Sequence, residues 1–354
     1  VALTGVVPLV QEASAQAAAQ CANPTGPYTG QLPWAQRLLD PPRIWPLATG
    51  TGQLVAVIGA GVDGANAQFA PGQVLAALEV TPGGGSGTAD CDGRGTIAAG
   101  IIAARKNSQT AFSGIPPDVR ILPIRYRGSE GNSSDGGNPG ALAAGIDAAV
   151  QARAKVILVA VPAVSDSPAL ASAVSRATVS GAVVISPAAA TQQGARSYPT
   201  ATPGVLAVGS VNQAGDAAQA ESGDYIGISA PGAELVSTSA GADGALAHRF
   251  PVTDPVLATA YVAGAAALVR AYRPELTSDQ VVPRLTLTAN RPPSGTRDPK
   301  RGWGLLDAYA AASAEIPDNA APPGGLPDAA ASGAMVRLPP PSGRLRVGSR
   351  VFSR

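Results

Sequence analysis

The chain has 354 residues, 45% of them hydrophobic and 14% charged, with 42 Gly and 33 Pro, enough for one large domain or two ordinary ones around a sizeable core. So little charge excludes a disordered polyelectrolyte and a coiled coil, and 25 Lys plus Arg against 24 Asp plus Glu, net +1, excludes a surface that tracks nucleic-acid phosphates. No uninterrupted apolar stretch approaches the roughly 20 residues of a membrane span.

Residues 1–19 open with VALTGVVPLVQEASAQA. An apolar run followed by small residues in an Ala-x-Ala pattern reads as the back half of a secretory signal peptide, with cleavage near Ala17; an ordinary amphipathic segment is the alternative. Residues 20–50 form an extension ahead of the first strand. The two cysteines are Cys21 and Cys91. In an exported chain two thiols most simply form one disulfide, which closes a long loop and stabilises by about 3–5 kcal/mol; two unrelated thiols are the alternative.

From residue 51 to 312 strands and helices alternate. LVAVIGAGV (54–62) is a short β-branched run stopped by glycines, as in a strand buried on both faces. GTIAAGIIAA (95–104) is a helix of small residues. VRILPIRY is a strand, and PGALAAGIDAAVQARA (139–154) a helix with Pro139 near its start. KVILVAVPA is a strand, SPALASAVSRATVSG a helix ending at Gly181, and AVVISPAAA and GVLAVGSV are strands. YIGISAPGAELVST gives strands around a Pro-Gly turn. This alternation predicts an α/β fold with a mostly parallel sheet between helices. Active sites in such sheets lie at the carboxyl ends of the strands, so the loops after Ile58, Tyr126, Ala163 and Ala190 are the places to look. The glycine-rich TPGGGSGT (81–88) lacks the Lys and helix of a phosphate loop. No acidic cluster predicts a metal, and no cofactor is expected. Residues 313–354, rich in Pro, Gly and Ala, read as a flexible tail, ending in Arg337, Arg344, Arg346, Arg350 and Arg354. Such a basic tail suits a solvated linker, or contact with anionic lipid, a partner or a membrane anchor beyond it.

In order and spacing these segments resemble the subtilisin-like serine proteases (peptidase S8), and within them the mycosins of type VII secretion. QLVAVIGAGVD (53–63) resembles the segment carrying the family's catalytic Asp, and CDGRGTIAAGIIAA (91–104) the segment carrying its His. YPTATPGVLAVGSV (198–211) and ISAPGAELVST (228–238) resemble its late strands. ATAYVAGAAALVRAYRPELTSDQVVPRLTLTA (258–289) resembles the nucleophile helix and the next one, and RGWGLLDAYAA (301–311) the closing motif. Cys21 and Cys91 are also placed as in mycosins, whose extension is tied to a cysteine before the His motif. A second cysteine pair expected of mycosins is missing.

The resemblance fails where the chemistry should be. The catalytic Asp position is Gly59. Asp92-Gly93-Arg94-Gly95-Thr96 has Arg94 in place of His. Asp254-Pro255-Val256 puts Val256 at the nucleophile, and Ala189-Ala190 puts Ala190 at the oxyanion Asn. A valine has no lone pair to attack with, and a guanidinium stays protonated and cannot act as a general base. The only His, His248, is eight residues from Val256 and reads as a structural residue; Ser229, Ser237 and Ser239 read as strand and turn hydroxyls. Asp254-Pro255 is a good helix opening, and Arg94 is expected to pair with Asp63, Asp92 or Asp254 in the old cleft. The resemblance implies a catalytically inactive, exported pseudoprotease in a type VII secretion membrane complex, without nucleic-acid partners. An active endopeptidase using other residues is one alternative. A module that binds an extended peptide as an added strand along 155–164 is the other.

Overall fold

The computed structural model describes residues 23–80, 90–126, 137–292, 294–317 and 320. The signal-like segment, Cys21, the glycine-rich run at 81–88 and the tail beyond 320 lie outside the described residues.

Seven parallel strands form the central sheet in the order β2-β3-β1-β4-β5-β6-β7. They are β1 (Leu54–Gly59), β2 (Leu78–Glu79), β3 (Arg120–Arg125), β4 (Val156–Val159), β5 (Val183–Pro187), β6 (Val205–Val211) and β7 (Ile226–Pro231). Alternate residues of each strand face opposite layers. Val55, Val57, Ile121, Val156 and Leu158 pack against α3 (Arg94–Ala103) and α6 (Ala258–Tyr272). Ala56, Ile58, Leu122, Ile157 and Val159 pack against α4 (Pro139–Gln151) and α5 (Pro168–Val179). Burial on both faces explains why these strands read as continuous apolar runs.

The helix boundaries follow local chemistry. The Asn138 side chain accepts the Ala141 amide at 3.0 Å ahead of Pro139, and Ser167 accepts the Leu170 amide at 3.1 Å ahead of Pro168, each cap serving an otherwise orphaned N–H. Gly181 takes φ 77° just past α5, a left-handed stop suited to glycine. All residues of α6 from Ala258 to Arg270 are buried, so this helix is almost entirely apolar, Thr259 and Arg270 being the exceptions, because it is the core of the fold.

A two-stranded antiparallel sheet, β8 (Leu235–Thr238) with β9 (His248–Val252), stands apart from the main one. Sequence reading did not anticipate β9, because HRFPV lacks alternation. It also did not anticipate α1 (Trp34–Leu39) and α2 (Pro41–Ile44) in the extension. The extension is anchored by polar bonds at several points: the Trp34 indole donates to the Ala233 carbonyl at 3.0 Å, the Trp45 indole to Ile115 at 2.8 Å, and the Thr25 amide to His248 at 2.8 Å. After α7 (Ser278–Leu287), α8 (Ala308–Ser313) returns to pack against α6.

Candidate functional site

The four positions that the resemblance singles out lie toward the carboxyl end of the sheet. Gly59 is the last residue of β1, Ala190 lies just past β5, Arg94 opens α3, and Val256 sits in the 3-10 turn Pro255–Leu257 that leads into α6. A Cβ built at Gly59 would come within 3.3 Å of the Ala160 Cβ on the neighbouring chain segment, tight enough to favour glycine.

Arg94 fills the position read as the base. Its Nε donates to Asp254 Oδ2 at 2.7 Å, and its Nη1 lies 3.9 Å from Asp92 Oδ2. The Arg94 amide also donates to Asp92 Oδ1 at 3.0 Å. Burial disfavours the guanidinium, yet Asp254, Asp92 and Asp90 hold its pKa above the ordinary arginine range. It is therefore a permanent cation here and cannot take a proton from a neighbouring group.

Asp254 uses both oxygens. Oδ2 holds Arg94, while Oδ1 accepts the Val256 amide at 3.0 Å and caps the turn. Val256 is 5% exposed and packs in the main core with Leu257 and Ala258. One carboxylate thus ties the helix opening to the cation across the cleft.

At Ala190 the amide donates to Glu221 Oε2 at 2.7 Å. Glu221 is fully buried, and its carboxylate also accepts the Ser197 amide at 3.0 Å, the Ser197 hydroxyl at 2.6 Å and the Tyr225 hydroxyl at 2.8 Å. Burial first, and then the Glu221 carboxylate it donates to, raise the Tyr225 pKa, so its proton stays in place. Sequence reading missed Glu221, Ser197 and Tyr225. The loop AAQAESGDY offers no spacing that marks a buried acid.

Residues 50–304 match the subtilase family of peptidases. The chain belongs to the subtilase family. It is 34% identical to Mycosin-4 of Mycobacterium tuberculosis over 330 residues, covering 82% of this chain and 71% of that protein. Its identity to Mycosin-3 of the same organism is also 34%, over 82% of this chain and 73% of that one. Among solved structures it is similar to MycP1 from Mycobacterium smegmatis, with a TM-score of 0.72 and 29% identity over 90% of this chain and 93% of that one. It is likewise similar to a serine protease MycP1 described as an essential component of the type VII (ESX-1) secretion system, with a TM-score of 0.70 and 30% identity over 83% and 92%. The chain is thus a mycosin-like subtilase.

The remaining candidates in this subtilase chain are held in structural roles. Asp63, expected among the partners of Arg94, is placed elsewhere: its oxygens accept the amides of Ala65 at 2.9 Å and Gly241 at 2.8 Å. Turn formation takes that carboxylate, and among the described residues Arg94 pairs with Asp254 and Asp92. His248 is buried in β9, with Nδ1 accepting the Tyr28 amide at 2.9 Å and Nε2 facing Gln68 Oε1 at 2.6 Å. The first bond makes Nδ1 an acceptor, so the proton sits on Nε2 and donates to Gln68. Burial pushes its pKa down to about 4, leaving the imidazole neutral and both nitrogens engaged. The hydroxyls of Ser229, Ser237 and Ser239 donate to the carbonyls of Gly304, Ile97 and Ala240. Cys91 is disulfide-bonded; Cys21, the partner expected for it, lies outside the described residues.

Two further observations bear on the cleft. Asp90, which sequence reading passed over, is buried, and one of its oxygens accepts both the amide and the hydroxyl of Thr96, at 2.7 and 2.6 Å. Burial, and then the charge of Asp92, push its pKa up to about 7. The apolar stretch 155–164 has little free ladder at its end. Pro162 has no N–H and its carbonyl accepts Gly137 at 3.2 Å, while both backbone groups of Ala163 pair with Tyr198, at 2.7 and 2.8 Å. An added peptide strand finds its template already occupied at these two residues.

Proposed function

We propose that this mycosin-like subtilase is catalytically silent and serves as a structural component of a type VII secretion membrane complex on the exported face of the cell envelope. The observation that carries the reading is the Arg94–Asp254–Val256 unit. At the two positions where the family resemblance calls for a base and a nucleophile, the chain has a permanent cation and an inward-packed aliphatic side chain, joined through one carboxylate. A hydroxyl nucleophile needs an adjacent base, and that base needs an orienting carboxylate. In subtilisin, loss of nucleophile or base removes about 10⁶ in rate.

The partner class comes from the relatives: a MycP1 structure of the same fold is described as a component of a type VII system. A disulfide from Cys21 to Cys91 would fasten the extension beside the Arg94 helix in this reading. Affinity purification from detergent-solubilised envelope tests the proposal. The type VII membrane-complex proteins are expected to co-purify with the tagged chain. Recovery of the chain alone, in soluble fractions, would overturn the structural role.

A further inference from the structure

The net charge of +1 conceals a segregation along the strands. At the carboxyl end of the sheet Asp63, Asp92 and Asp254 outnumber Arg94. The amino end, where the strands begin and α3 to α6 finish, carries cations over β3, β1 and β4. Arg105 and Lys106 follow α3, Arg120 opens β3, and Arg153 and Lys155 lie between α4 and β4. Leu54 of β1 pairs with Arg120, and Val55 with Val156, so Arg120 and Lys155 stand on either side of Leu54. At the spacing of neighbouring strands their Cα atoms are about 10 Å apart.

Cations suit helix carboxyl ends, and part of the set serves that purpose. Lys155 Nζ donates to the Ser180 carbonyl just past α5 at 2.7 Å, and Arg105 holds Asp118 at 3.1 Å. Lys106, Arg120 and Arg153 are exposed and have no carboxylate partner among the described residues. Arg153 is also held at a conformational cost. It takes φ 61° past the end of α4, its amide donates to Val150 at 2.9 Å, and the Ala154 amide donates to Ala149 at 3.0 Å. The end of α5 repeats this pair of bonds, from Gly181 to Thr178 and from Ala182 to Ala177, and there glycine fills the left-handed position. A side chain is disfavoured in that conformation, so the same turn built with arginine points to a use for the charge.

Two apolar side chains project from the same face. Val179, the last residue of α5, is 86% exposed next to the Lys155–Ser180 contact. Tyr272, the last residue of α6, is 41% exposed, with the Arg273 guanidinium 5.6 Å from its ring centre. Gln53, just ahead of β1, donates to the Arg270 carbonyl at 3.5 Å, which places the end of α6 beside the start of that strand. Arg273 Nε donates to the Ala312 carbonyl at 3.4 Å, so α8 finishes on this face too. The acids Glu275 and Asp279 lie toward the other half, where α7 packs against β5 and β7. Free cations beside a projecting aliphatic and an aromatic side chain fit an interface in which anionic headgroups overlie acyl chains. An acidic protein surface would use the charges and leave Val179 in water. We propose that the amino end of the sheet, from Lys106 and Arg120 across to Arg153 and Val179, docks on an anionic lipid surface. The proposal does not rest on the silence of the cleft.

The test is flotation of the full chain with vesicles of phosphatidylcholine alone and of equimolar phosphatidylcholine and phosphatidylglycerol. Saturable binding is expected to the anionic vesicles only, weakening as salt is raised. Lys106→Glu, Arg120→Glu and Arg153→Glu combined should abolish it, and Val179→Ser should weaken it. Arg153→Gly is the decisive variant, because it removes the charge and relieves the left-handed residue: binding should fall about fivefold while the denaturation midpoint rises. The same fivefold difference should persist when Arg337→Gln, Arg344→Gln, Arg346→Gln, Arg350→Gln and Arg354→Gln are combined, so that the tail is discharged. Equal binding to both vesicles, undiminished binding in Arg153→Gly, or loss of all binding on discharging the tail would each overturn the proposal. Binding of polyglutamate with none to anionic vesicles would assign the face to an acidic protein and overturn it as well.

Discussion

Two carboxylates organise the carboxyl end of the sheet, and they work under opposite conditions. Asp254 sits at a partly open cleft, 18% exposed at the side chain, with a cationic partner that is itself 24% exposed. Glu221 is fully buried and has four neutral donors in place of a cation. Solvent screens the first pair and leaves it a modest contribution. The second meets its four donors inside the protein, and removing it strands those donors in a dry interior. The comparison teaches that the part of the site resembling an ion pair is the adjustable part. The part invisible to motif reading carries more of the stability.

The largest expected effect follows from that difference. Glu221→Ala should lose about 3–5 kcal/mol in urea denaturation, because the Ala190 and Ser197 amides and two hydroxyls lose one shared acceptor. Glu221→Gln, which keeps one acceptor oxygen, should lose roughly half as much. A loss for Glu221→Ala below that for Asp254→Ala would reverse the comparison.

Next in size is a pH effect from another buried group. His248 has a folded pKa near 4 against 6.5 in the unfolded chain, so the unfolded state binds more protons between those values. Its contribution is fully present above pH 6.5 and is lost as pH falls toward 4, up to about 3 kcal/mol. His248→Gln should remove that slope in denaturation midpoints measured across the interval. Asp90 acts with the opposite sign: its folded pKa, near 7 against 3.8, gives a contribution present below pH 3.8 and lost as pH rises through 7. Asp90→Asn should therefore remove the decline between pH 3.8 and 7, an interval that overlaps the one in which His248 acts with the opposite sign, so the variant should show a steeper rise in stability from pH 4 to 6.5 than the parent.

Smallest are the changes at the cleft itself. Asp254→Ala removes a cap and an ion-pair partner and should cost about 1–2 kcal/mol. Arg94→Ala should cost at most about 1 kcal/mol, with a cost that shrinks as salt is raised. A salt-independent cost above that of Asp254→Ala would mean that Arg94 is held by something other than its carboxylates.

Most of the sheet was legible because its strands are buried on both faces and so appear as uninterrupted β-branched runs, as in VAVI of β1 and VILV of β4. Helix starts were legible where capping is local, as at Pro139 and Ser167. Gly59, Arg94, Ala190 and Val256 stood out because each departs from a motif whose spacing is otherwise kept. Asp63 misled because a carboxylate beside a vacated position looks the same in sequence whether it faces a cation or closes a turn. Glu221 was missed because its burial is set by distant segments, where it meets Ala190 and Ser197; Asp90 was missed although its partner Thr96 is local, because nothing in the sequence marks it as buried.

The measurement that bears most directly on the central claim is reaction of the purified, folded chain with a fluorophosphonate probe, read by intact mass. With Val256 in the core and Arg94 a fixed cation, no covalent adduct is expected at any serine, including Ser229, Ser237 and Ser239, under conditions that label an active subtilase to completion. A stoichiometric adduct abolished by prior denaturation would contradict the account.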